Sequence, residues 1–175
     1  MNDDTPDGIA DAETSRFLAF QARVVHTNIS PESLLATDYM NHFNEIVMLL
    51  EMVADMPELL DDCRVWQPKG YCDHFRDSGV ADRELAIEAY DAVPRRFREP
   101  FEETIGQLNG LIARAIERLE DALASSDEET LRETASAYSR AAQRLMDRAG
   151  AIIHGTCVTL QQSEIDALLG MRNGT

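Results

Sequence analysis

The chain of 175 residues reads as an all-α helical bundle with a long antiparallel helix hairpin and a short peptide-like helix near its C-terminus. Three observations predict this. From about Glu99 to Ala124, the residues Phe101, Ile105, Leu108, Ile112, Ala115, Leu119 and Ala122 recur at alternating spacings of four and three, a coiled-coil-like seam. The Ser125-Ser126 link to the next helical stretch is too tight for anything but an antiparallel return. No segment shows the two-residue alternation bounded by turn residues that marks a half-buried strand.

Taken in order, residues 1–11 are polar, acidic and broken by Pro6 and Gly8, and are expected to form a mobile tail. The bundle domain is expected over residues 12–154. Its first helix should run from Ala12 to His26 on Phe17, Leu18, Phe20, Ala22, Val24 and Val25, and Asn28 to Ser30 should break it. Ser30 followed by Pro31 has the form of an N-cap with proline at the first helical position, which predicts a long second helix through about Ala54. Pro57 opens a turn or short helix ending near Cys63, and Trp66 to Gly79, with Pro68 and Gly70 and no sustained period, reads as a structured loop. Asp82 is placed to cap a helix that Pro94 ends. After the seam helix, Ser126 and Glu129 have capping-box spacing for a last long helix, Asp127 to about His154, closed by Gly155.

The net charge of −16 repels phosphate backbones and anionic lipid, so neither nucleic acid nor membrane is an expected partner. Lysine chemistry could rest only on Lys69, the single lysine, which has no glycine-rich phosphate loop around it. Met1-Asn2-Asp3-Asp4 carries neither the basic region nor the apolar run of a secretory signal, and no apolar stretch approaches membrane-spanning length, so a cytoplasmic location is expected. Cys63, Cys72 and Cys157 are odd in number and lack C-x-x-C spacing, which argues for free thiols and against structural zinc. The histidines are scattered, so no metal site and no cofactor of the protein's own is expected.

Past a short linker, 155–159, the segment 160–170 has the makings of an amphipathic helix. Ser163 is a plausible N-cap, Glu164 and Asp166 favour the first turn, and Gly170 is a natural stop, with 171–175 expected to be disordered. Ile165, Leu168 and Leu169 share one face, with Leu160 leading in. So short a helix is unstable alone in water and must bury its stripe on something. Leu160, Gln162, Glu164, Ile165, Asp166, Ala167, Leu168 and Leu169 resemble the receiver-binding peptide of the flagellar motor switch protein FliM, usually Leu-Ser-Gln-x-Glu-Ile-Asp-Ala-Leu-Leu, with Gln161 where that family usually has Ser. The resemblance implies docking on a phosphorylated CheY-like receiver domain. The layout, a helical bundle followed by a C-terminal receiver-binding helix, is similar to that of the CheY phosphatase CheZ. What any stripe of this kind can also do is pack back on its own domain.

Such phosphatases, as the resemblance implies, project an amide to orient the attacking water, with an acid three or four residues before it and Mg2+ held in the partner receiver. Positioning and electrostatic fit to an in-line displacement are all that chemistry asks of the amide. Asp38-x-x-Asn41 has this form, resembles the Glu-x-x-Asn pattern of the CheC and CheX phosphatases, and falls with Asn44, Glu45, Met48 and Met52 on the face opposite an apolar stripe of Leu35, Tyr39, Phe43, Ile46, Val47, Leu50 and Val53. Met48 and Met52 would give a partner adaptable apolar contact. Glu103-x-x-x-Gln107 is a rival pair on the seam helix, and the bland reading of either is a solvated helix face. His42, at the margin between the two faces, is the candidate for a phosphotransfer histidine, but Phe43, Asn44 and Glu45 stand where the phosphotransfer signature usually has Lys and Gly, which favours an edge-of-core imidazole. The functional expectation is therefore a chemotaxis or flagellar-signalling protein that binds a receiver and could speed hydrolysis of its aspartyl phosphate. A non-catalytic adaptor and a His42 phosphotransfer protein are the alternatives. A homodimer mate could also fill the seam.

Overall fold

A computed structural model describes the backbone of residues 6–155 and the side chains of 12–155. The protein is all-α. Among the described residues, seven α-helices, α1 Pro6–Arg23, α2 Asn41–Met52, α3 Leu59–Val65, α4 Tyr71–Asp77, α5 Arg83–Tyr90, α6 Arg95–Ala124 and α7 Glu128–Ile153, are joined by turns and one 3-10 turn, Thr37–Met40. Among the described residues there is no strand, only a lone bridge between Ile29 and Ala36.

The hairpin of α6 and α7 is the spine. Every seam residue from Phe101 to Ala122 is buried, and Ala135, Ala142, Leu145, Ala149 and Ile152 on α7 answer them. Alternating large and small side chains let the two helices approach closely along their length. Helix α6 starts at Arg95, a turn before the expected Glu99, with Pro94 at its N-cap. Pro100 therefore lies inside the helix, and Thr104 Oγ1 donates to the Pro100 carbonyl at 2.7 Å. The capping box at Ser126 and Glu129 does not form. Ser126 takes a left-handed φ of 56°, and Asp127 becomes the N-cap, accepting from the Thr130 amide at 3.0 Å and the Thr130 hydroxyl at 2.6 Å.

Helix α2 lies against α7 with Phe43, Ile46, Val47 and Leu50 buried, and its last turn reaches the α6–α7 connection, where Ala54, Leu123 and Leu131 border one hollow. It is therefore antiparallel to α7. The start of this helix corrects the sequence reading: Ser30-Pro31 opens a tight turn, and helix begins only at Thr37–Met40 and Asn41. The Ser30 amide donates to the Leu35 carbonyl at 2.9 Å and the Leu34 amide to the Ser30 carbonyl at 2.8 Å, with Leu34 at φ 66°. Both leucines are fully buried. Burying two Leu side chains contributes about 3–6 kcal/mol, enough to outweigh the left-handed penalty of about 1–2 kcal/mol and the local capping preference.

Two further expectations are corrected. Helix α1 begins at Pro6, inside the segment read as a tail, because proline is well suited to a first helical position. The Trp66 to Gly79 stretch contains α4, too short to display a helical period in sequence, with Tyr71 and Phe75 buried one turn apart. Asp82 does precede α5 but makes no side-chain capping bond.

Candidate functional site

The N-terminal end of α2 is built by the 30–36 loop. Ser33, fully buried, donates from Oγ to the Ile153 carbonyl at 2.6 Å and accepts from the Leu35 amide at 3.1 Å, tying the loop to the last turn of α7. Gly155 follows at φ 104°, and a Cβ there would sit 3.5 Å from Glu32. The chain therefore leaves α7 beside the loop that leads into the 3-10 turn and α2. Leu160, Gln162, Glu164, Ile165, Asp166, Ala167, Leu168 and Leu169 lie outside the described residues.

The 3-10 turn leads from Asp38 into Asn41, whose backbone amide donates to the Asp38 carbonyl. Asn41 is exposed on the first turn of α2 and Asp38 is half-buried. Each is held by a second asparagine. Asn28 Nδ2 donates to Asp38 Oδ2 at 3.1 Å, and Asn44 Nδ2 donates to Asn41 Oδ1 at 3.3 Å, which leaves the Asn41 NH2 end turned away from its neighbour. Asn44 was legible as a member of the same helix face. Asn28 was not, because only the folding of the 30–36 loop brings it alongside Asp38.

Further along the same face, Met48 is 55% and Met52 36% exposed, with Glu45 and Glu51 exposed between and beside them. No family model, curated protein or solved structure matches the chain. Its site is thus read from its own chemistry.

The rival pair is less favourably arranged. Glu103 is exposed on α6, but Gln107 is half-buried and its amide oxygen lies out of solvent reach. An amide that must enter a partner's active site has to project, and this one does not.

His42 belongs to an aromatic plug at this end of the bundle. Its ring stacks on Trp66 at 4.8 Å, lies 5.9 Å from the His74 ring, and accepts at Nε2 from the Lys69 amide at 3.1 Å. Trp66 Nε1 returns a bond to the His42 carbonyl at 3.2 Å. Burial, then the nearby His74 and Lys69 charges, push its pKa down to about 4, so the ring is neutral near pH 7. Tyr39 donates to the Lys69 carbonyl at 2.7 Å, and Tyr71 Oη accepts from the Ala36 amide at 2.8 Å, so the Trp66 to Phe75 residues brace the 30–36 loop. Beside them, Tyr39, Lys69, Tyr71, Phe101 and Asn109 border an open groove of about 360 Å³.

Among the described residues, no group of three metal-ligating side chains converges and no helix is long and apolar enough to cross a membrane. Cys63 is buried, its thiol pushed up to about 11 chiefly by desolvation, and Cys72 is half-buried. A thiol held so high is a poor nucleophile at neutral pH.

Proposed function

We propose that this is a cytoplasmic signalling protein of the chemotaxis or flagellar type that binds a phosphorylated CheY-like receiver through Leu160 to Leu169 and accelerates hydrolysis of the receiver's aspartyl phosphate. The observation that carries the binding clause is the string Gln162, Glu164, Ile165, Asp166, Ala167, Leu168, Leu169 in the order of a receiver-binding peptide. Support for the catalytic clause comes from position. The chain departs α7 at Gly155 against Glu32, at the end of the bundle where Asn41 is exposed, and a short tether raises the local concentration of whatever it holds.

In this reading Asn41 is the catalytic amide. Its Nδ2 or, after release from Asn44, its Oδ1 orients the attacking water, and Asp38 holds a basic group of the receiver. Mg2+, bound by the receiver, neutralises the phosphoryl oxygens. Met48 and Met52 give the receiver apolar contact beside the amide. Removing one positioned hydrogen-bonding group from such a transition state costs about 10²–10³ in rate.

The test is the lifetime of the receiver's phosphate, started from a small-molecule phosphodonor, with and without the full chain. Acceleration that falls by about 100-fold in Asn41→Ala while binding is retained supports the reading. An unchanged lifetime with retained binding sinks the catalytic clause in favour of the adaptor, which the commitment of the Asp38 carboxylate to Asn28 favours. Label on His42 would make it a phosphotransfer protein instead; the Lys69 amide already occupies Nε2 of that ring.

A further inference from the structure

Asn41 does not stand alone on the first turn of α2. Asn44, three residues on and also exposed, donates from Nδ2 to Asn41 Oδ1 at 3.3 Å. That bond uses the acceptor of one amide and a donor of the other, and it leaves Asn41 Nδ2, a donor, and Asn44 Oδ1, an acceptor, at the free ends of the pair. No carboxylate lies in the first turn of α2; Asp38 precedes it and is engaged by Asn28 at 3.1 Å, and Glu45 follows, exposed to solvent.

We propose that Asn44 is a second catalytic amide, and that Asn41 and Asn44 act as a coupled pair that grips one attacking water at two points. This rests on the reading of Asn41 given above. Water that attacks phosphorus in line uses one lone pair for the new O–P bond, so one lone pair and two O–H groups remain to be held. Asn41 Nδ2 donates to the spare lone pair and Asn44 Oδ1 accepts one O–H, which leaves the reacting lone pair aimed at phosphorus. The second O–H faces a phosphoryl oxygen. As the new bond forms, the bond from phosphorus to the receiver's aspartate oxygen breaks and its electron pair stays on the carboxylate. The second proton passes to the phosphoryl oxygen, and the products are the free carboxylate and dihydrogen phosphate. Neither amide gains or loses a proton.

The bond between the two side chains is what makes them a device. A lone amide turns end for end about its last bond and presents either group. With Oδ1 of Asn41 held by Asn44, the NH2 end is the one turned outward, and the same bond polarises both amides. Orientation is thereby set before the receiver arrives, as catalysis by positioning asks. Two neutral groups also suit the chemistry, since a carboxylate at either position would repel the phosphoryl group.

The experiment is steady-state phosphate release from a CheY-like receiver supplied with excess acetyl phosphate, run with the full chain and with its Asn41→Ala, Asn44→Ala and doubly substituted variants. Both positions are exposed, so alanine leaves the bundle folded, which an unchanged urea midpoint verifies. Expected is a fall in kcat of about 100-fold in Asn44→Ala at unchanged KM for the receiver, and a double variant no slower than Asn41→Ala, because groups that act as a unit lose their effect together. The side-chain 15N–1H2 signals of Asn41 should also shift in Asn44→Ala with no receiver present, which reads the bond itself. An unaltered kcat in Asn44→Ala, losses that multiply in the double variant, or Asn41 signals that do not move overturn the pair and leave Asn41 in its role. No acceleration by the unsubstituted chain overturns the hydrolytic reading, and the pair as a catalytic device falls with it.

Discussion

His42 carries the clearest pH signature of any single residue. Its folded pKa, near 4, lies below the ordinary histidine value of 6.5, so between those values the unfolded chain binds more protons than the folded one. The stability it contributes is complete above about pH 6.5 and is lost as pH falls towards 4; His74, also pushed down mainly by burial, acts in the same direction. We predict that His42→Gln, which can still accept from the Lys69 amide but cannot titrate there, flattens the decline in urea-unfolding free energy across that window. An equal slope in both proteins would show that the imidazole is not the group responsible. Ser33 is a second point of leverage. Its hydroxyl is fully buried and joins Leu35 to Ile153. Ser33→Ala leaves the Ile153 carbonyl and Leu35 amide short of a partner and should cost about 1–3 kcal/mol, measured as a shift in denaturant midpoint.

At the scale of elements, the spine is the part whose loss would be felt most. Leu119 is buried within the α6 seam, and Leu119→Ala should destabilise by about 2–5 kcal/mol through lost transfer free energy and the cavity left behind. This hairpin was legible in sequence because the four-three spacing persists over six intervals, long enough for periodicity to overrule every local alternative. Helix α2 shows the opposite case. Its outer face, with Asn41, Met48 and Met52, was readable, but its start was not, since Ser30-Pro31 suits a turn as well as a helix and only the burial of Leu34 and Leu35 decides between them. In the 3-10 turn the Asn41 backbone amide donates to the Asp38 carbonyl, while the two side chains are engaged elsewhere, Asp38 by Asn28 and Asn41 by Asn44. Helix α4 and the Asn28 contact could not be read. Seven residues express too little period, and a contact across a left-handed loop leaves no spacing in the sequence to find.

For the molecule as a whole, the acidity and the architecture work together. The net charge of −16 destabilises the compact state by self-repulsion, and the ion pairs are exposed, as at Arg23 with Glu88 and Lys69 with Asp77. Raising salt from low values should therefore raise Tm, because screening the net repulsion outweighs weakening solvated pairs; a falling Tm would mean that those pairs matter more than the net charge. The bundle places the exit of α7, the loop at Ser33, and the exposed Asn41 at one end, braced by the aromatic plug around His42 and Trp66. Such an arrangement suits a protein that holds a partner on a short tether against a fixed face. The central claim, that residues 160–169 choose that partner, is tested most directly by titrating a beryllofluoride-loaded CheY-like receiver with the full chain and with its Leu168→Ala/Leu169→Ala variant. The account predicts saturable binding that the double substitution weakens by more than about 2 kcal/mol, roughly 30-fold. Absence of binding, or the same affinity in both proteins, would contradict it.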